Sequence, residues 1–324
     1  MPDRFTAELI VERYLSGVRV EQFLIRHFRN YTAYRMQRIV ASGLVRVNGI
    51  AADLKTRVFY KQRIRVELIE PPDKLIEAEP LPLSVVYEDP WIIVVDKPAG
   101  QASHPVGVYQ TGTLSNALQW HLDRQTALKG LLRPGIVHRL DRMTSGLMVV
   151  SKEHLAHRLL SHAFRRGRVA KEYLVLLEGN FERNQGTIDR PIGLHPEGGS
   201  ILMSAHSQAR KAKPARTHFE VVERFDDMTL VRARIDTGRS HQIRVHFAEL
   251  GHPVVGDEYY GPFGSLRKSP NWVAGPDQPI SVQRHALHAH RLTFDHPITG
   301  RELSFSSALP DDLELVPKPS VARL

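Results

Sequence analysis

The sequence has no cysteine, which removes disulfides, thiolate nucleophiles and every cysteine-based zinc arrangement from consideration. No apolar run approaches the ~18 residues that a membrane-spanning helix needs. The first residues, Met1 to Glu8, lack the apolar stretch of a secretory leader. These absences point to a chain of a reducing, cytoplasmic compartment with no membrane partner. No self-similarity is evident at a period of about 20 to 50 residues, which argues against a solenoid. The 17 histidines include His285, His288 and His290 close together, yet no HExxH spacing occurs. No metal and no organic cofactor are expected.

What remains is an ordinary globular composition, 42% hydrophobic and 24% charged over 324 residues, enough for two unequal domains with a sizeable core. Lys and Arg outnumber Asp and Glu by 44 to 35, and a basic balance favours a polyanionic partner. The excess is concentrated at the front, where residues 1–70 hold 13 basic against 7 acidic side chains.

In that front part, Val20, Phe23, Leu24 and Phe28 fall at helical spacing. A second helix starts after Thr32, a good N-cap, and stops at Gly43. Leu44 to Val47 alternates as a strand into the turn dipeptide Asn48-Gly49, and Ile64 to Ile69 reads as a further strand. The stretch Glu70 to Leu83 holds four prolines and little periodicity, so it reads as a linker with a boundary near residue 75. The expected organisation is an extension over 1–18, a small α/β domain over 19–75 and a large domain over 76–324. Strand-like runs at Trp91–Asp96, Gly146–Ser151, Glu172–Leu177, Thr217–Val222, Leu230–Ile235 and Ala286–Phe294 outnumber the helical patterns. Those helical patterns lie at Leu114–Leu122, Glu153–Arg166 and Ser240–Leu250. The large domain is therefore expected to be α+β, a mixed, mostly antiparallel sheet with flanking helices.

The segment that could carry chemistry is Gly135-Ile-Val-His-Arg-Leu-Asp-Arg-Met-Thr-Ser-Gly146, a charge-rich stretch running into an apolar strand. Residue types alone allow two readings. Asp141, Thr144 and Ser145 could simply satisfy loop amides; alternatively, Asp141 is a carboxylate kept ionised by neighbouring arginines and aimed at a substrate.

The stretch His138 to Gly146, HRLDRMTSG, resembles the HRLDxxTSG signature of the RluA family of pseudouridine synthases. The resemblance extends to Asp96-Lys-Pro-Ala-Gly100, Lys171-Glu-Tyr-Leu174, Thr237 to His246 and Arg284 to Ala289, in the family's order. Met143 departs from it, standing at a variable position that is more often acidic. The front part resembles an S4 RNA-binding domain, with Arg19 to Leu24, Thr32 to Arg35 and Gly43 to Gly49 in place. Tyr60 to Arg63 lacks that domain's usual Pro-Gly-Asp turn.

The resemblance implies a pseudouridine synthase fold behind a small S4-like RNA-binding domain. It implies an isomerase that converts uridines of structured RNA to pseudouridine, with large-subunit ribosomal RNA favoured over transfer RNA. Asp141 is implied as the catalytic residue and Arg244 as the guanidinium that holds it ionised. Tyr173 is implied as the aromatic against the target base, and Arg139 as the side chain that helps fill the place of the flipped nucleotide. Further RNA contacts are expected from Arg19, Arg35, Arg38 and Arg46, and from a basic hairpin containing Arg210, Lys211 and Lys213. The rival reading is a noncatalytic RNA-binding or ribosome-assembly protein. A monomer without an obligate protein partner is expected in either case.

Overall fold

The computed structural model describes residues 5–68, 76–126, 129–197, 201–267 and 284–313. The boundary near residue 75 and the end of the strand read to Ile69 lie outside these residues.

The front unit is a four-stranded antiparallel sheet, β1 (Phe5–Ile10), β2 (Val45–Val47), β3 (Ile50–Ala51) and β4 (Arg63–Leu68), ordered β1-β4-β2-β3. Helices α1 (Val20–His27) and α2 (Ala33–Ala41) cover one face. Phe23, Leu24, Met36 and Ile39 on the helices meet Val45, Ile64 and Val66 on the strands in one core. Thr32 caps α2 by accepting from the Arg35 amide at 3.3 Å, and Gly43 ends it with φ +73°. Asn48 and Gly49, both at positive φ, turn β2 into β3.

Of the extension expected over 1–18, the described residues 5–18 contribute to this unit. β1 pairs with β4 along its whole length from Phe5↔Leu68 to Ile10↔Arg63. Its alternation of half-buried and exposed residues is that of an edge strand with one face on a core. The unit rests on the larger one: Asn30 Nδ2 donates to the Gly130 carbonyl at 2.6 Å, and Leu131 enters the front core.

The larger unit is built on a ten-stranded sheet. Its members are β5 (Ser84–Glu88), β6 (Ile92–Lys97), β7 (Gly135–Ile136), β8 (Ser145–Ser151), β9 (Ala170–Glu178) and β10 (Gln185–Asp189). A small separate sheet is made of β11 (Ile192–Leu194), β12 (Met203–Ser204) and β13 (Arg210–Lys213), after which β14 (Arg216–Arg224), β15 (Met228–Ile235), β16 (Leu287–Asp295) and β17 (Glu302–Ser306) complete the large one. Its main order is β10-β14-β15-β9-β16-β8-β6-β5, and among the described residues only β8 and β16 pair in parallel.

Helices α3 (Leu114–Asp123), α4 (His154–Arg165) and α5 (Gln242–Glu249) flank this sheet. The apolar run of β6 is explained by burial on both faces. Ile93 and Val95 join Leu114 and Leu118 of α3 and Phe247 of α5, whereas Ile92 and Val94 join Ala156 and Leu160 of α4. The sheet is mostly antiparallel with few helices, as the strand-rich pattern predicted.

Candidate active site

The loop before β8, the cleft-side end of β9 and the loop before α5 converge on a cleft of about 510 Å³. It is lined by Arg139, Asp141, Lys171, Tyr173, His241 and Arg244 among others. Four of the residues singled out from the sequence (Arg139, Asp141, Tyr173 and Arg244) are thus brought together from chain positions about a hundred residues apart.

The Asp141 loop is fixed from below. The Thr144 amide donates to the Asp141 carbonyl at 3.0 Å, closing a turn that lifts the carboxylate toward the cleft. Arg284 donates to the Met143 carbonyl at 3.0 Å and to Ser145 Oγ at 3.1 Å, and is itself paired with Asp312. Thr144 Oγ1 hydrogen-bonds His285 Nε2 at 2.8 Å, and Ser145 Oγ hydrogen-bonds His288 Nδ1 at 3.0 Å. Two of the three histidines that suggested a metal thus brace this loop, while His290 meets the Ser307 carbonyl. The last residue of the motif, Gly146, has φ +115°; a Cβ there would lie 2.6 Å from the Ala289 nitrogen on the parallel neighbour β16. Only glycine lets the two strands approach so closely.

Arg244 lies on α5, a helix buried on nearly every side, and its side chain is 2% exposed. Its Nη1 reaches Asp141 Oδ2 at 3.2 Å, while Nε and Nη2 grip Asp257 at 2.6 and 2.8 Å. Asp257 is fully buried and accepts further from the Tyr259 and Tyr260 amides. The rings of Tyr259 and Tyr260 lie 5.4 and 5.2 Å from the guanidinium. The guanidinium is therefore stacked, forked and neutralised before any substrate arrives.

Burial alone would raise the Asp141 pKa. Nearby positive charge and the Arg244 hydrogen bond outweigh it, holding the carboxyl below its ordinary value. His241 Nε2 is 3.9 Å from Asp141 Oδ2, but burial keeps this imidazole below its own ordinary pKa. At neutral pH the permanent charge of Arg244 thus dominates. Tyr173, 7% exposed, is shifted in the other direction: burial, with the Asp141 charge, raises its phenol above the usual range. It remains a protonated, largely apolar ring.

Arg139 is exposed at the rim, and its charge is felt by Asp141 and His104. The basic residues expected to contact RNA are dispersed. Arg35 and Arg38 are one turn apart on α2, and Arg19 directly precedes α1. Arg46 stands on the outer face of the sheet, opposite Arg65 of β4; strand alternation turns it away from the helices. Arg210, Lys211 and Lys213 are exposed on β13. The basic hairpin expected there is instead an edge strand whose partner is β11.

Asp257, Tyr259 and Tyr260 were not singled out from the sequence. The one signal was an acidic residue two positions beyond the apolar run Pro253-Val-Val255, where a buried carboxylate demands a cationic partner.

A close-packed loop presents a carboxylate paired to a buried arginine on a mostly antiparallel sheet, the arrangement that the HRLDxxTSG resemblance implies for an RNA-modifying isomerase. The family model described as RNA pseudouridylate synthase matches residues 91–249. An RNA pseudouridine synthase, YlyB, of Bacillus subtilis (strain 168) is 38% identical over 295 residues, covering 91% of each chain. The ribosomal large subunit pseudouridine synthase D of Nitrosomonas europaea is 38% identical over 309 residues, which is 95% of this chain and 86% of that one. Among solved structures, human RNA pseudouridylate synthase domain containing 1 superposes with a TM-score of 0.53 at 28% identity, over 72% of this chain and 86% of its own. The chain belongs to the RluA family of RNA pseudouridine synthases and is an isomerase acting on RNA.

Proposed function

We propose that this enzyme isomerises uridine in large-subunit ribosomal RNA and that Asp141 is its catalytic residue. The reaction breaks the N1–C1′ bond, turns the free uracil and joins C5 to C1′. C5 loses a proton and N1 gains one, so no redox partner is consumed. An ionised carboxylate can act as nucleophile or as base and is regenerated in either role. The observation that carries this reading is the shared guanidinium, with Arg244 joining Asp141 to the buried Asp257. It keeps Asp141 charged and aimed into the cleft.

Tyr173 provides a flat face for the extruded base, where stacking contributes about 1–3 kcal/mol. Arg139, at the rim, braces the stem from which the uridine has left; extrusion costs a few kcal/mol. The front unit is read as an S4-like RNA-binding module whose arginines contact phosphates. Ribosomal RNA is favoured because relatives named ribosomal large subunit pseudouridine synthase D match this chain over 86% and 89% of their own length. A monomer working in the cytoplasm completes the reading.

The test is a pair of proteins, wild type and Asp141→Asn, each supplied with unmodified 23S-type ribosomal RNA and with unmodified transfer RNA. Pseudouridine should form in the ribosomal RNA with wild type alone. Equal product from both proteins would remove Asp141 from catalysis, and product only in transfer RNA would reassign the substrate.

A further inference from the structure

Lys171 lies two residues before Tyr173 on β9, so both side chains project from the same face of the strand. Tyr173, Val175 and Leu177 of that row enter the apolar core, and Lys171 stands where the row opens into the cleft. A lysine in such a row is unusual, since an ammonium so placed loses water and ordinarily gains a carboxylate. Among the described residues Lys171 has no ion pair. Asp141 is taken by Arg244, and Asp236, the other carboxylate lining the cleft, pairs with Arg216 and His218. The lysine is nevertheless held in place. Its Nζ lies 5.9 Å from the centre of the Phe164 ring, which is stacked on His138 at 4.5 Å, a geometry in which a ring face attracts a cation. Arg139, Arg165 and Arg239 add positive charge to the same lining. Burial also pushes the Lys171 ammonium down to about 8, with Asp236 opposing only in part, which is the signature of a cation short of a counterion.

We propose that Lys171 grips a backbone phosphodiester flanking the target uridine, so that the base seated against Tyr173 is fixed at its ribose-phosphate end as well. This rests on the reading of Asp141 and Tyr173 as the uridine site. The ligand chemistry follows from what the cleft lacks: a monoanion acceptor for a desolvated, preoriented ammonium. Every nucleotide of the substrate carries one on each side, and such contacts position a substrate without reading its sequence.

The experiment uses the full chain and a short RNA stem-loop containing the target uridine, with Lys171→Met, Lys171→Gln and Lys171→Arg compared with wild type. Methionine and glutamine should each raise KM by roughly tenfold, the loss of about one charged hydrogen bond. The single-turnover rate at saturating RNA should stay within about threefold of wild type, as expected when binding common to ground and transition states is removed. The slope of log affinity against log salt should flatten by about 0.7, the value for one released counterion on a single strand. Arginine, which keeps the charge, should restore most of both. Unchanged KM and salt slope in methionine and glutamine variants that melt like wild type would overturn the phosphate role. So would a loss confined to the saturated rate. Asp141→Asn, assayed alongside at saturating RNA, separates the two claims: if it turns over, the uridine site itself is misassigned; if it is inactive while Lys171→Met binds normally, only the lysine assignment fails.

Discussion

Arg244 is divided between two carboxylates: two of its nitrogens belong to the fully buried Asp257, and the third reaches Asp141 at the edge of the cleft. The division explains how one guanidinium can both belong to the core and reach the cleft. One anion cancels most of the desolvation cost of burying it, and the remaining N–H orients the other.

Asp257 does not border the cleft, yet its removal should be felt there. Asp257→Ala leaves Arg244 buried with only the partly exposed Asp141 as counterion, and breaking a buried pair in this way costs about 3–5 kcal/mol. Urea denaturation should record that loss, and turnover should fall at temperatures where the variant is still folded. A variant with wild-type stability would mean that water replaces the lost carboxylate and that the pair contributes little.

The pH dependence follows from the direction of the Asp141 shift. Its folded pKa lies below the ordinary value. The stability contributed by the Asp141–Arg244 pair is therefore complete above ~4 and drains away as pH falls through the lower folded pKa. For activity, the same shift places any acid limb due to Asp141 below ~4. The double variant Arg244→Gln/Asp257→Asn replaces both buried charges with amides, so no lone ion is stranded. Burial then raises Asp141 with His241 and Arg139 left to oppose it, and the acid limb of kcat/KM should move up by about 1–3 units. An unmoved limb would show that Arg244 does not set the charge state of Asp141.

Gly146 gives a test of the loop itself. Alanine there requires φ +115° and sets a Cβ 2.6 Å from the Ala289 nitrogen, so β8 and β16 must part where they carry the Asp141 turn. A destabilisation of about 3 kcal/mol is expected from overpacking with backbone strain, read as a lowered melting temperature with a disproportionate loss of turnover. An alanine variant as stable as wild type would show that the strands can separate without cost.

Much of this arrangement was legible because local pattern and burial agree. The helices of the front unit announced themselves through Phe23, Leu24, Met36 and Ile39 at helical spacing, with Thr32 and Gly43 as stops. HRLDRMTSG marked the Asp141 loop through its resemblance to a family signature, where the residue types alone left two readings open. Asp257 was illegible for a physical reason: its partner lies 13 residues away across a helix and a turn, and nothing local requires a carboxylate there. β1 was missed because a six-residue edge strand shows only half of an alternation, and its other half, β4, comes more than fifty residues later. The basic segment around Lys211 was misjudged as a self-paired hairpin since β11, its actual partner, is only three residues long.

The separate surfaces of the front unit lead to a last expectation. Arg35 and Arg38 share one side of α2, while Arg46 and Arg65 face outward from the sheet on the side away from the helices. If the unit holds RNA through phosphates, each arginine in contact contributes about 0.7–0.9 to the salt slope of binding, and neutralising it removes that increment whatever the RNA sequence. Arg35→Gln, Arg38→Gln and Arg46→Gln, measured singly on a long structured RNA, should each weaken affinity and flatten the slope, with the saturated rate on a short stem-loop intact because the cleft is untouched. Substitutions that lower the slope on one surface only would identify the side on which the RNA lies. Identical slopes for all three and wild type would leave the basic front unit without a role in binding.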